Sequence, residues 1–549
     1  MAGRIQSLTS GMAGPGPRIP GPARAAGPVP GPAVVVLGGG ALVLVVALTL
    51  GPIGALAWRA EPGQGTGVLG TADWAALRFT LLQALLSAAV SVALALPAAR
   101  ALARRRFPGR DLVVSLLGAP FLLPAIVVVF GVVAIWGRAG LVSRGLEAVG
   151  APPLSIYGLP GVVLAHVFFN LPLATRLVLQ GWGTIPPEQF RLAAQLGFGP
   201  VDLFRRIELP MLRGVLPGAF LLVFLLCMTS FAVALTLGGG PRATTVELAI
   251  YQAVRFDFDL ARAARLALMQ FALCGAVALV AMRVPAEAGF GRGLRTAARR
   301  WDAQDAARRW LDAGVFAALA LFLGLPVGAI LLGGIPGLAE LPAAVWPAAA
   351  RSLGVALASA ALALALALPL ALLIDATRAR GGGRGLETLA LLAFAASPFV
   401  MGTGLFILIH PVANPFAIAL PLTATVNAVM ALPFALRALL PAVAEVRLRD
   451  GRLADSLGLH GATRFRLIAW PRLRAPAGFA AGLAAALSMG DLGVIALFAP
   501  PEVVTLPLLM ERLMGAYRMQ AAAGVALVLV LLTFALFWAF DRGGRGNAG

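Results

Sequence analysis

The chain has 549 residues, 60% of them hydrophobic and 12% charged, about half of the roughly 25% charged share of a soluble protein. So little polar surface cannot cover a water-facing globule, which excludes an ordinary soluble enzyme or binding module and makes a lipid bilayer the expected solvent. The net charge of +20 is all Arg, with no Lys, and it sits in short stretches between apolar runs instead of on one face, which excludes a nucleic-acid binder.

Residues 1–33 are rich in Gly, Pro, Ala and Arg without apolar period and are expected to be a disordered cytoplasmic tail. A membrane helix needs about 20 apolar residues to cover roughly 30 Å of hydrocarbon. Runs of that kind lie near residues 34–56, 76–102, 112–136, 158–180, 214–237, 262–282, 313–333, 351–374, 388–409, 418–440, 476–498 and 519–540, twelve in all. The first is too long for the core of a cleaved signal and reads as an uncleaved span. Loops after the second, fourth, sixth, eighth and tenth runs are Arg-rich: Arg104, Arg105 and Arg106 mark the first of them, and Arg447, Arg449 and Arg452 the last. The intervening loops are Arg-poor and hold acids such as Glu61, Asp73, Glu340 and Glu502. One orientation satisfies the alternation, with both termini in the cytoplasm.

The chain repeats itself. Ser87 to Pro97 reads like Ser359 to Pro369, and Pro172 and Arg176 recur as Pro433 and Arg437, 261 residues later. Each repeat carries six runs, giving one half at 34–283 and another at 313–541. A polar, Arg-rich cytoplasmic linker at 284–312 separates them, and 542–549 form a C-terminal tail. The expected fold is an all-α integral membrane protein of two tandem six-helix halves.

Two loops share a gap-free pattern. RLAAQLGFGPVDLFRRIELP runs from Arg191 to Pro210, and RLADSLGLHGATRFRLIAWP from Arg452 to Pro471, again offset by 261. Both open Arg-Leu-Ala (Arg191 to Ala193, Arg452 to Ala454), then place Gly seventh (Gly197, Gly458), Ile seventeenth (Ile207, Ile468) and Pro twentieth. Two short amphipathic helices with Gly at the turn make a compact elbow, because Gly accepts a positive φ. Pro210 and Pro471 are expected to end the second helix where the next span starts.

This pattern resembles the EAA loop of ATP-binding-cassette (ABC) importer permeases: Glu-Ala-Ala, three residues, Gly, nine residues, Ile-x-Leu-Pro. Ala193, Gly197, Ile207, Leu209 and Pro210 match it in the first loop, and Gly458, Ile468 and Pro471 in the second, where Trp470 takes the Leu position. Arg191 and Arg452 stand where the pattern has Glu. The resemblance implies the type I importer fold, in which each loop docks as a coupling helix on one of two ATPase subunits. ATP and magnesium would then bind on that partner. This chain has no Lys for a phosphate-binding Walker A loop, and no cofactor or catalytic role is expected of it.

Longer segments resemble thiamine (thiamine pyrophosphate) permeases: Arg100 to Arg110, Ser155 to Gln180, Leu237 to Ala264, Ser456 to Gly461 and Ser488 to Phe498. That resemblance implies a bacterial inner-membrane importer of thiamine or its phosphates, served by a periplasmic binding protein. Ferric-iron or polyamine permeases share the two-half layout. An ion-coupled secondary transporter is the rival of another class, but it has no use for paired coupling loops and needs several buried ionisable groups. Asp491, inside an apolar run, is the clear intramembrane charge and is expected to line the substrate path, together with Ser230 at the matching place 261 residues earlier and Asn170, whose Pro172 neighbour suggests a broken helix. Glu247 and Tyr251, near the outer face, read most simply as capping a short surface helix, with contact to an external binding protein or the substrate as the alternative. Cys227, Cys274 and the three His show no metal-ligand spacing.

Overall fold

A computed structural model describes residues 31–60, 69–118, 122–238, 240, 243–283, 301–303, 305–390 and 396–545. The tail at 1–30 and most of the linker, 284–300, lie outside the described residues. Where described, the chain is helical, with no strand.

The first repeat begins with α1 (Pro32–Arg59) and α2 (Thr71–Arg104), followed by α3 (Arg110–Leu116), α4 (Ala125–Trp136), α5 (Leu141–Ala148) and α6 (Leu159–Gly183). The first elbow is α7 (Pro187–Gln195) and α8 (Pro200–Leu212), and then come α9 (Leu216–Met228), α10 (Phe231–Leu237), α11 (Val246–Arg255) and α12 (Leu260–Arg283). The second repeat comprises α13 (Ala306–Gly337), α14 (Val345–Arg378), α15 (Arg384–Ala390), α16 (Pro398–Ile409), α17 (Ala419–Ser456), α18 (Gly461–Arg464), α19 (Trp470–Met489), α20 (Gly493–Phe498), α21 (Leu506–Gly515) and α22 (Met519–Arg545).

Among the described residues nine helices are long and apolar enough to cross a membrane, or ten if the pair Pro200–Leu212 and Leu216–Met228, bent by 58°, is one span. Four of the twelve apolar runs are not single straight helices. The run at 112–136 is divided between α3 and α4, with Pro124 as the residue before α4. Among the described residues the run at 388–409 holds the end of α15 and the 12-residue α16, opened by Pro398. Those at 214–237 and 476–498 are interrupted at Thr229–Ser230 and Gly490–Leu492. Hydropathy counts apolar residues and does not see where the backbone leaves the helix.

The repeats are interlocked. The opening helix of each packs against the other repeat: α1 lies on α14 and α16, and α13 on α4 and α2. Small residues set these crossings. A Cβ on Gly404 would stand 2.5 Å from the Pro52 carbonyl oxygen, and one on Gly131 would stand 2.9 Å from that of Pro326. In lipid no hydrophobic force separates helix from solvent, so close backbone approach at small residues supplies the packing energy. One continuous apolar core runs through both repeats, with Ile126 and Phe168 from the first and Phe399, Phe406 and Phe498 from the second.

At one end of the bundle a buried ion-pair network ties α2 to α13. Arg104 meets Asp312 at 2.5 Å and Asp302 at 3.6 Å, and Arg105 meets Asp312 at 2.6 Å.

Candidate functional site: two elbows and two helix breaks

The two elbows are built alike. Leu196 and Leu457 end their helices, and Gly197 (φ 65°) and Gly458 (φ 64°) follow in the left-handed region. The Phe198 N–H donates to the Ala193 carbonyl at 3.0 Å, and the Leu459 N–H to that of Ala454 at 2.9 Å. Gly197 and Gly458 N–H groups donate to Ala194 and Asp455 carbonyls. This is the Schellman turn, which satisfies carbonyls that a helix end leaves open. Ala193 and Ala454 are buried beneath the turns.

Beyond each turn the backbone widens into a π turn, Phe204–Glu208 and Phe465–Ala469, which holds Ile207 and Ile468. The N–H groups of Leu209 and Trp470 reach back five residues, to Phe204 and Phe465. Here the expectation for Pro210 and Pro471 is corrected. Neither ends a helix: Pro210 lies in Leu209–Leu212, and Pro471 opens the 20-residue α19. A proline near the start of a helix lacks an N–H that the widened turn leaves without its ordinary partner, so the chain runs on unbroken.

Arg191 is exposed and 3.5 Å from Glu188, and Arg452 is exposed as well. Leu192, Leu196, Leu453 and Leu457 are between 56% and 62% exposed. Each elbow therefore presents two leucines four residues apart, at matching positions, on its outer face.

The pathway candidates sit elsewhere. Ser230 precedes α10 in an extended conformation (φ −89°, ψ 106°). Asp491 is not inside a helix, as a continuous span would have it, but in the matching break before α20. Its Oδ1 accepts from the N–H groups of Gly493 (3.1 Å) and Val494 (3.4 Å), capping a helix start that the break leaves open. Asn170 is buried within α6, which runs through Pro172 without a break. Its amide donates to the His166 carbonyl at 2.8 Å and approaches Cys227 Sγ at 3.4 Å. Glu247 departs from the surface reading: it is fully buried, while Thr245 caps α11.

The structure adds a set of matched polar contacts. Ser87 Oγ lies 3.3 Å from His166 Nδ1. In the second repeat Ser359 Oγ lies 2.9 Å from Ser488 Oγ, which accepts from Asn427 Nδ2 at 3.0 Å. Asn427 is the 261-residue counterpart of His166, and Ser488 that of Cys227. Likewise the hydroxyls of Thr80 and Ser352 each accept, at 2.9 Å, the first N–H of the next helix on, from Val246 of α11 and Leu506 of α21. These residues were open to detection from the repeat offset alone, because Ser87 and Ser359 begin the matching segments.

Comparison with known proteins places more than nine-tenths of the chain. It is 43% identical over 516 residues to the thiamine transport system permease protein ThiP of Brucella abortus, covering 92% of this chain and 95% of that one. The protein of the same name from Escherichia coli is 39% identical over 526 residues, 93% of this chain and 97% of that one. The chain belongs to the thiamine transport system permease family. A more distant relative, the sulfate transport system permease protein CysW of Synechocystis, is 30% identical over 205 residues, 37% of this chain and 74% of that one. No family model matches the chain. As a member of this permease family the chain is a transport subunit and not an enzyme.

Proposed function

We propose that this chain is the membrane-embedded permease subunit of an ABC importer that moves thiamine, its phosphates or both across a bacterial inner membrane. Similarity to thiamine permeases along more than nine-tenths of the chain supports the substrate. The observation that carries the mechanism is the pair of like-built elbows, with the same turn, the same π turn and the same exposed leucines.

The elbows face the cytoplasm, where the Arg-rich loops lie, and both termini lie on that side. Each exposed leucine pair fits an apolar cleft on one of two ATPase subunits, and a periplasmic binding protein delivers the solute. Because the Schellman turn fixes the angle between the two elbow helices, a push on the elbow moves the following span instead of bending the loop. Closing of the ATPase pair on ATP brings the elbows together, and the two repeats rock about their shared core. The elements that move against each other include α9–α10 and α19–α20, whose breaks hold Ser230 and Asp491. Those two residues flank the path. Asn170 is held by His166 and Cys227 within the first repeat and serves packing.

The reading is tested in vesicles reconstituted with this chain, its ATPase and its binding protein. Uptake of thiamine in excess over ferric iron and polyamines supports it, and preferential uptake of either control overturns the substrate. Asp491→Asn lowers uptake at unchanged membrane abundance, and equal uptake by the two proteins removes Asp491 from the path.

A further inference from the structure

The two helix breaks converge on the start of α16. The Phe399 ring lies 4.4 Å from that of Phe231, the residue after the first break. The Tyr251 ring stands 5.2 Å from Phe231 and 6.2 Å from Phe399. On its other side Phe399 meets the second break: a Cβ built on Gly493 would stand 2.9 Å from the Phe399 ring and 3.7 Å from Asp491 Oδ1. Ring and carboxylate thus share one small volume.

A second buried carboxylate, from the other repeat, reaches the residue that caps α16. Glu247 lies one helical turn before Tyr251 and is fully buried, beside Ser397, two residues before Phe399. Its Oε1 accepts from Gln270 Nε2 at 3.3 Å, and the same amide donates to the carbonyl of Met228, at the end of α9, at 3.0 Å. Glu247 Oε2 and Asp491 Oδ2 are both buried and, among the described residues, neither makes a hydrogen bond of full geometry, although Ser397 lies beside the first carboxylate and Asn427 beside the second. Among the described residues neither carboxylate takes part in an ion pair.

A buried carboxylate with an unpartnered oxygen is costly unless something positive arrives to share it. Aromatic faces attract cations once water is excluded, and carbonyls at an unwound helix end do the same. We propose that Glu247, Asp491 and the Phe231–Phe399 pair form a transit site for a flat organic cation at the seam between the repeats. The proposal rests on the importer reading above and adds the place and the chemistry: the cationic ring is held between two carboxylates, one from each repeat, against the aromatic pair. Rocking of the repeats separates those carboxylates and releases the cation.

The test uses the complete transporter in vesicles and reads thiamine imported per ATP hydrolysed. Glu247→Gln and Asp491→Asn each lower that ratio at least fivefold while ATP hydrolysis stimulated by the binding protein continues, and Glu247→Asp, which keeps the charge, recovers part of it. Phe399→Leu lowers the ratio too. The proposal is overturned if the ratio is unchanged in both amide variants, if uptake and ATP hydrolysis fall in equal proportion in every variant, or if Glu247→Asp behaves as Glu247→Gln. Failure of the unsubstituted transporter to carry thiamine would count against the importer reading instead.

Discussion

Replacing Gly197 and Gly458 by Val isolates the elbow geometry. Neither position would suffer a clash, since a Cβ built on either meets nothing within 4 Å. The cost is therefore purely of the backbone: at φ near +65° a residue with a Cβ loses about 1–2 kcal/mol. At 1.4 kcal/mol per tenfold, that is about a 5- to 30-fold drop in the population of the native turn at each elbow. Val lies at the upper end because it is β-branched, whereas Asn tolerates the left-handed region. The assay is ATP hydrolysis stimulated by the binding protein, in vesicles at matched permease abundance. Val variants lose most of the stimulation, the double variant most of all, and Asn variants keep more than half. Equal stimulation in the Val and Asn variants would refute the argument that this turn transmits the ATPase motion.

Three further outcomes are expected. Asp312→Ala removes the acid shared by Arg104 and Arg105 and leaves Asp302, 3.6 Å from Arg104, to balance both; breaking a buried pair costs at most about 3–5 kcal/mol, so thermal unfolding in detergent should show a lowered midpoint, and an unchanged midpoint contradicts it. Gly404→Leu places a side chain against the Pro52 carbonyl and should lower membrane abundance or abolish a cysteine cross-link between α1 and α16, whereas Gly39→Leu, with open space around it, does neither. Single cysteines at Arg191 and Arg452 should react with an impermeant maleimide only in inverted vesicles, and one at Glu340 only in right-side-out cells; the reverse pattern would invert the topology.

The elbows were legible because their signal is local and doubled. Gly197 and Gly458 sit at the same place in two matched strings, and the positive φ that glycine permits is the conformation found. The fate of Pro210 and Pro471 was not, because the π turn before them depends on backbone hydrogen bonds that no residue type announces. The breaks at Thr229–Ser230 and Gly490–Leu492 were hidden for a related reason. Both sides of each break are apolar, so hydropathy runs straight through them. Asp491 drew notice as a charge among apolar residues, but Glu247 looked like a surface acid, since it is buried by long-range packing of α11 on α12, on α2 and, from the other repeat, on α16. The interlocking of α1 and α13 is likewise a matter of long-range packing: Pro52 against Gly404 and Pro326 against Gly131 are repeated contacts between segments that share no local pattern.

The central claim is that a separate ATPase drives this chain through its elbows, and thiamine accumulation in sealed vesicles with binding protein tests it most directly, with and without the ATPase and ATP. The account predicts accumulation only when both are present, with loss on blocking the Leu192–Leu196 and Leu453–Leu457 faces. Accumulation by this chain alone, powered by a proton or sodium gradient, would contradict it.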